Sequence, residues 1–204
     1  MNIPTTAQLE IGFKEFHAHE RRDAMYTIAT FLIGHFWGQP ANMADSLGVL
    51  LLTWNQAFYR YGSFDLEKLE KCIAENFSAI ETFRERSIID YGENDDPSLT
   101  RLFKEFLTAL AISEDNKAAG RKSPVAVSKA LHLLAPGFFP LWDKAIAMAY
   151  RCDYTRRPAG QYLAFIRKTQ KIARNLQGVS VPPGKTLPKL IDEFNYAKFT
   201  KGWV

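Results

Sequence analysis

Apolar residues recur every three or four positions along nearly the whole chain, and that spacing commits it to helices. Leu99, Leu102, Phe103, Phe106, Leu107 and Leu110 show the pattern best, falling on one face of a helix over residues 98–112. The same period marks residues 6–19, 22–36, 41–60, 66–77, 79–90, 124–134, 144–151, 158–177 and 187–199. Gly, Pro and small polar residues punctuate the series at 38–40, 61–64, 92–97, 136–140 and 179–184, and residues 114–120 are expected to form a loop. Alternating strand patterns, internal repeats and low-complexity tracts are absent. The expectation is an all-α fold of about nine to ten helices. It would form one domain over residues 1–204, within which 1–115 and 116–204 could be two lobes.

Hydrophobic residues make up 47% of the chain and aromatics 13%, enough to fill a sizeable core. No apolar run reaches the ~18 residues that suggest a bilayer span. The start, Met-Asn-Ile-Pro-Thr-Thr, lacks a basic region followed by an apolar stretch, so no secretory signal is expected and the cytoplasm is the expected location. Cys72 and Cys152 stand too far apart for a metal motif and are expected to be buried, reduced thiols. Two cysteines also fall short of the four that an iron–sulfur cluster normally takes. His17 and His19, two apart on a helix, point in different directions and make a poor metal pair. Neither a metal nor an organic cofactor is expected.

The net charge of +4 conceals an asymmetry. Residues 1–150 carry 15 Lys/Arg against 19 Asp/Glu, whereas residues 151–204 carry 11 against 3. No acid occurs from Lys117 to Leu141, while Lys117, Arg121, Lys122 and Lys129 do. A one-sided positive field suits a polyanion, and double-stranded DNA bound by a monomer is the expected partner.

Candidate chemistry concentrates in residues 119–150. Gly120-Arg-Lys-Ser-Pro124 is a basic turn in which Ser123 caps a helix. Free N–H groups there, with Arg121, Lys122 and Ser123, suit a backbone phosphate. Lys129, on the mostly apolar helix that follows, either snorkels to the surface or is buried for chemistry. His132 is expected to be a satisfied histidine at the core edge. Pro140-Leu-Trp-Asp143 opens the next helix with Asp143 at the N-cap, among apolar groups that can tune a carboxylate's pKa. Trp54-Asn55-Gln56 interrupts the most apolar helix. With Trp142, these residues could stack on and hydrogen-bond a planar base.

Taken together, Gly120-Arg-Lys-Ser, an apolar helix, Phe139-Pro-Leu-Trp-Asp143 and a following helix resemble the helix-hairpin-helix DNA glycosylases. In that superfamily a Gly-rich hairpin precedes a catalytic aspartate, some members add a lysine on the second hairpin helix, and an upstream helix supplies an amide to the base pocket. The resemblance implies a glycosylase that flips out a damaged or modified base, such as a bulky base of phage DNA. It assigns Asp143 and Lys129 to catalysis, Arg121, Lys122 and Ser123 to DNA, and Trp54, Asn55, Gln56 and Trp142 to the base pocket. Asp115-Asn-Lys-Ala-Ala119 stands where the superfamily has Leu-Pro-Gly-X-Gly, and neither Lys122 nor Lys129 has the usual distance to the aspartate. A monofunctional enzyme without lyase activity is therefore expected. The other reading is a non-catalytic helical DNA-binding or interaction module.

Overall fold

Five of the ten α-helix starts among the described residues are fixed by short polar side chains that accept from otherwise orphaned backbone N–H groups. Thr5 makes a reciprocal capping box with Gln8, opening α1 (Thr6–His19). Asp65 accepts from Lys68 N at the head of α5 (Leu66–Arg84), and Ser123 from Ala126 N at α7 (Pro124–Leu134). Asp143 accepts from Ile146 N at α8 (Lys144–Ala149), and Thr186 from Lys189 N at α10 (Leu187–Asn195). The remaining helices are α2 (Ala24–His35), α3 (Pro40–Trp54), α4 (Gln56–Tyr59), α6 (Asp96–Ala109) and α9 (Pro158–Asn175). The computed structural model describes residues 4–113, 117–176, 178 and 181–204. Among these the fold is all-α, with ten α-helices and no strand. Residues 114–116 of the expected loop and residues 179–180 of the expected linker lie outside the described residues.

Three helices differ from their expected extents. The segment 41–60 breaks at Asn55, whose amide is tied to Ser123 Oγ, 3.2 Å away. Residues 66–84 form one helix rather than a pair, because Ser78 does not interrupt it. The Ser78 carbonyl accepts from the Thr82 hydroxyl, and a buried face runs through Leu69, Cys72, Ile73, Asn76, Ile80 and Phe83. A 3-10 turn, Ile88–Asp90, follows. At the C-terminal end α10 gives way to a π-helical turn, Tyr196–Lys201.

α7 is the hub. It packs against α2, α3 and α6, and buries Ala126, Val127, Ala130, Leu131, Leu133 and Leu134. α9 lies on α6 and α10, and α10 lies on α1, which brings the two ends of the chain together. That last contact needs a glycine. A Cβ on Gly12 would fall 2.5 Å from Phe194 Cδ2 and 3.1 Å from Phe194 Cα, so only glycine lets the backbones approach so closely. Among the described residues no helix is long and apolar enough to cross a membrane.

Candidate active site

Lys129 is the group to which the others refer. It projects from apolar α7 and donates to the carbonyl of Trp54, 2.6 Å away, with its ammonium 4.8 Å from the centre of the Trp54 ring. Trp54 is the last residue of α3, so its carbonyl has no partner inside the helix, and the helix dipole favours a cation there. Burial nevertheless dominates. It pulls the Lys129 amine down to about 8, against the opposing pull of Asp192 and Asp143.

Beside this lysine lies a cavity of about 250 Å³ between α1, the start of α2, the end of α3, and α10. Phe16, Trp54 and Tyr196 give it aromatic walls, while Asp23, Asp192 and Lys189 supply charge. The volume sits just below the ~300–1,000 Å³ of typical small-molecule pockets, which suits one planar heterocycle. Lys189, almost fully buried, is 2.9 Å from Asp23, 3.8 Å from Asp192 and 3.7 Å from Glu193, and lies over the rings of Phe16 and Tyr26. Burial opposes its charge, but Asp192, Asp23 and Glu193 outweigh that and hold it above the ordinary lysine value.

Asp192 responds in the opposite direction. Burial, with Glu193, Asp143 and Asp23 adding repulsion and Lys189 opposing, pushes its carboxyl up to about 7. Asp192 at the cavity and Lys129 behind Trp54 are thus both shifted toward neutrality, a pattern that acid–base sites share with buried ion-pair networks. Asp23 adds backbone strain at the rim, with φ 39° and ψ 45° in the left-handed region.

The sequence-derived candidates separate on this geometry. Trp54 lines the cavity, and Lys129 stands behind it, bonded to its carbonyl rather than lining the cavity itself. Asp143 is a cap whose Oδ1 accepts from Ile146 N at 2.8 Å and whose Oδ2 accepts from the Thr200 hydroxyl at 2.6 Å, but its charge still reaches Lys129 and Asp192. Trp142, expected in the base pocket, is only 1% exposed and belongs to the core. Its Nε1–H donates to the Pro124 carbonyl at 3.1 Å, and its ring packs on Tyr154, Tyr162 and Phe165. Asn55 is engaged with Ser123, and Gln56 is exposed and does not line the cavity.

Ser123, expected on a phosphate, is buried. Its oxygen already accepts from Ala126 N and Asn55 Nδ2. Ser123→Ala should therefore cost roughly 1–2 kcal/mol of stability, as loss of a cap does, and leave the salt dependence of any DNA binding unchanged. Chemical denaturation and a salt titration check both. Arg121 and Lys122 remain exposed beside this turn, where Gly120 takes φ +76°.

His132 is fully buried. The Phe139 carbonyl can only accept, so Nδ1 carries the hydrogen and Nε2 accepts from the Tyr26 hydroxyl, and burial lowers its pKa to about 3. It is a structural histidine. His17 approaches Glu193 while His19 stacks on Trp203, so the two do not converge.

Sequence reasoning missed Asp192, Lys189, Asp23, Phe16 and Tyr196. The available signal was Lys189, Asp192 and Glu193 at three- and four-residue spacing beside Leu190, Ile191 and Phe194, a pattern of internal ion pairing that resembles a solvated helix face. Comparison with protein-family models, with curated proteins and with solved structures finds no match.

Proposed function

We propose that the chain is a DNA glycosylase that receives an extruded base in the cavity between Trp54 and Tyr196 and attacks its sugar with Lys129. The observation that carries this reading is the desolvated Lys129 amine, held by the carbonyl of Trp54, a residue that forms one wall of an aromatic-lined cavity. With a pKa near 8, roughly a tenth of the amine is neutral and nucleophilic at pH 7, against fewer than one in a thousand for an ordinary lysine. The amine would form a bond to C1′ as the C1′–N bond to the base breaks and the electron pair leaves with the base. Asp143 would stabilise positive charge developing on the sugar. This adds covalent chemistry to the monofunctional enzyme expected from spacing. The exposed Arg121 and Lys122 would hold phosphates, and double-stranded DNA would be the partner.

One observation favours the non-catalytic DNA-binding module instead: both carboxylate oxygens of Asp143 already serve as hydrogen-bond acceptors within the fold. One experiment separates the readings. Genomic DNA from several sources, including phage with modified bases, is incubated with the protein and abasic sites are counted. A glycosylase produces them, and Asp143→Asn reduces their number while binding survives. A module binds without producing any. In either case duplex affinity should fall steeply with salt, and Arg121→Ala with Lys122→Ala should lower that slope by about 1–2. Salt-independent binding, or none at low salt, contradicts both.

A further inference from the structure

The carboxylates of this region differ in what they have free. Both oxygens of Asp143 accept hydrogen bonds from the fold. Asp192 borders the cavity, its side chain is 14% exposed, and its contact to Lys189 Nζ at 3.8 Å is too long for a hydrogen bond. Among the described residues no donor hydrogen-bonds its carboxyl group. A carboxyl facing an aromatic-walled cavity with its hydrogen-bonding capacity open suits a ligand atom.

We infer that Asp192 is the general acid of base release, handing its proton to the leaving ring nitrogen of a neutral base as the glycosidic bond breaks. This rests on the glycosylase reading above and assigns a residue that reading does not use. In the step, the C1′–N electron pair passes to the base nitrogen, the Asp192 proton moves onto that nitrogen, and the Lys129 amine forms the new bond to C1′. Asp192 is left as a carboxylate. The new negative charge is received by Lys189, which holds a proton at all relevant pH, and by the cationic nitrogen now on C1′.

The surroundings fit a carboxyl that carries a proton near neutrality. From α10 it meets Lys189 and Glu193, from the start of α2 Asp23 and Tyr26, from α7 Lys129, and from the two ends of α8 Asp143 and Tyr150, while Glu20 at the end of α1 and Tyr196 in the π-helical turn line the same cavity. Burial, with Glu193, Asp143 and Asp23, outweighs Lys189 and pushes Asp192 up to about 7. The acid form must be present for neutral bases to leave. Wild-type release should therefore rise with pH as Lys129 deprotonates, peak between the two values at about 7.5, and fall above about 8, where the loss of the Asp192 proton is no longer offset by further deprotonation of Lys129, giving a narrow bell.

The test exploits the leaving group. A neutral base needs a proton to depart, whereas 7-methylguanine is already cationic and departs without one. Four duplexes are used: one hypoxanthine, one 8-oxoguanine, one 7-methylguanine, and one preformed abasic site trapped with borohydride. Asp192→Asn should lower release of whichever neutral base the wild type removes by 10²-fold or more, as loss of a general acid does. It should also abolish the alkaline fall of the pH profile. Release of 7-methylguanine and trapping at the abasic site should stay within about threefold, which also reports an intact fold, and Asp192→Glu should recover neutral-base release. Equal loss on all four duplexes, or wild-type release of neutral bases by Asp192→Asn, overturns the assignment. A wild type that traps abasic sites but releases neither neutral base overturns it while the covalent reading stands. A wild type that neither traps nor releases removes both.

Discussion

Replacing Trp142 with alanine is expected to cost about 3–5 kcal/mol of folding free energy, the range for deleting a large buried aromatic. The indole is enclosed by Phe103, Tyr154, Tyr162 and Phe165, with ring centres between 5.0 and 6.3 Å away, so its removal leaves a cavity that several helices must relax to fill. It also deprives the Pro124 carbonyl of its Nε1–H donor at the first turn of α7, the helix that carries Lys129. Domains of this kind are commonly stable by only ~5–15 kcal/mol, so the variant should be partly unfolded or nearly so at 37 °C. Urea unfolding checks this as a large drop in the midpoint. A loss below about 1 kcal/mol, accompanied by altered base preference, would return Trp142 to the pocket.

The second large effect is on chemistry. Lys129→Met keeps the apolar stem and removes only the amine, so base release should fall on the order of 10⁴-fold, as it does when a covalent nucleophile is deleted. Stability should move the other way. The folded-state pKa is lowered, so the cost of carrying the charged amine is fully present below about 8 and disappears as pH rises toward the unfolded value near 10.5. Set against the lost hydrogen bond to Trp54, the net gain is roughly 0–2 kcal/mol at pH 6, and the charge-related part is gone at pH 11. Melting curves at the two pH values measure it. A variant that is destabilised at pH 6 and still releases bases would assign Lys129 a purely structural role.

The helices were legible because their apolar spacing and their caps are local properties. Asp65, Ser123 and Asp143 each stand where a capping residue belongs, and each caps. Misplaced boundaries came from tertiary contacts. Asn55 ends α3 while bonded to Ser123, 68 positions away, and Ser78 fails to end α5 because a continuous buried face overrides it. The site was legible only in part. Lys129 and Trp54 stood out as an anomalous lysine and tryptophan on apolar helices, but their contact spans 75 positions. Asp192 and Lys189 looked like solvated charges. They are buried because α10 lies against α1 at Gly12 and closes over Asp23, an arrangement no periodicity encodes. Trp142 misled for a related reason, since an aromatic beside a candidate aspartate suits a pocket wall and a core equally well.

The central claim is that Lys129 attacks a sugar, and it can be observed as a covalent bond. The protein is incubated with a duplex containing one abasic site, the imine is reduced with borohydride, and the adduct is digested and located by mass spectrometry. The account predicts a single adduct on the peptide bearing Lys129, stronger at pH 8 than at pH 6 and absent from Lys129→Met. No adduct, or an adduct on Lys122, Lys189 or the N-terminal amine that persists in Lys129→Met, would contradict it.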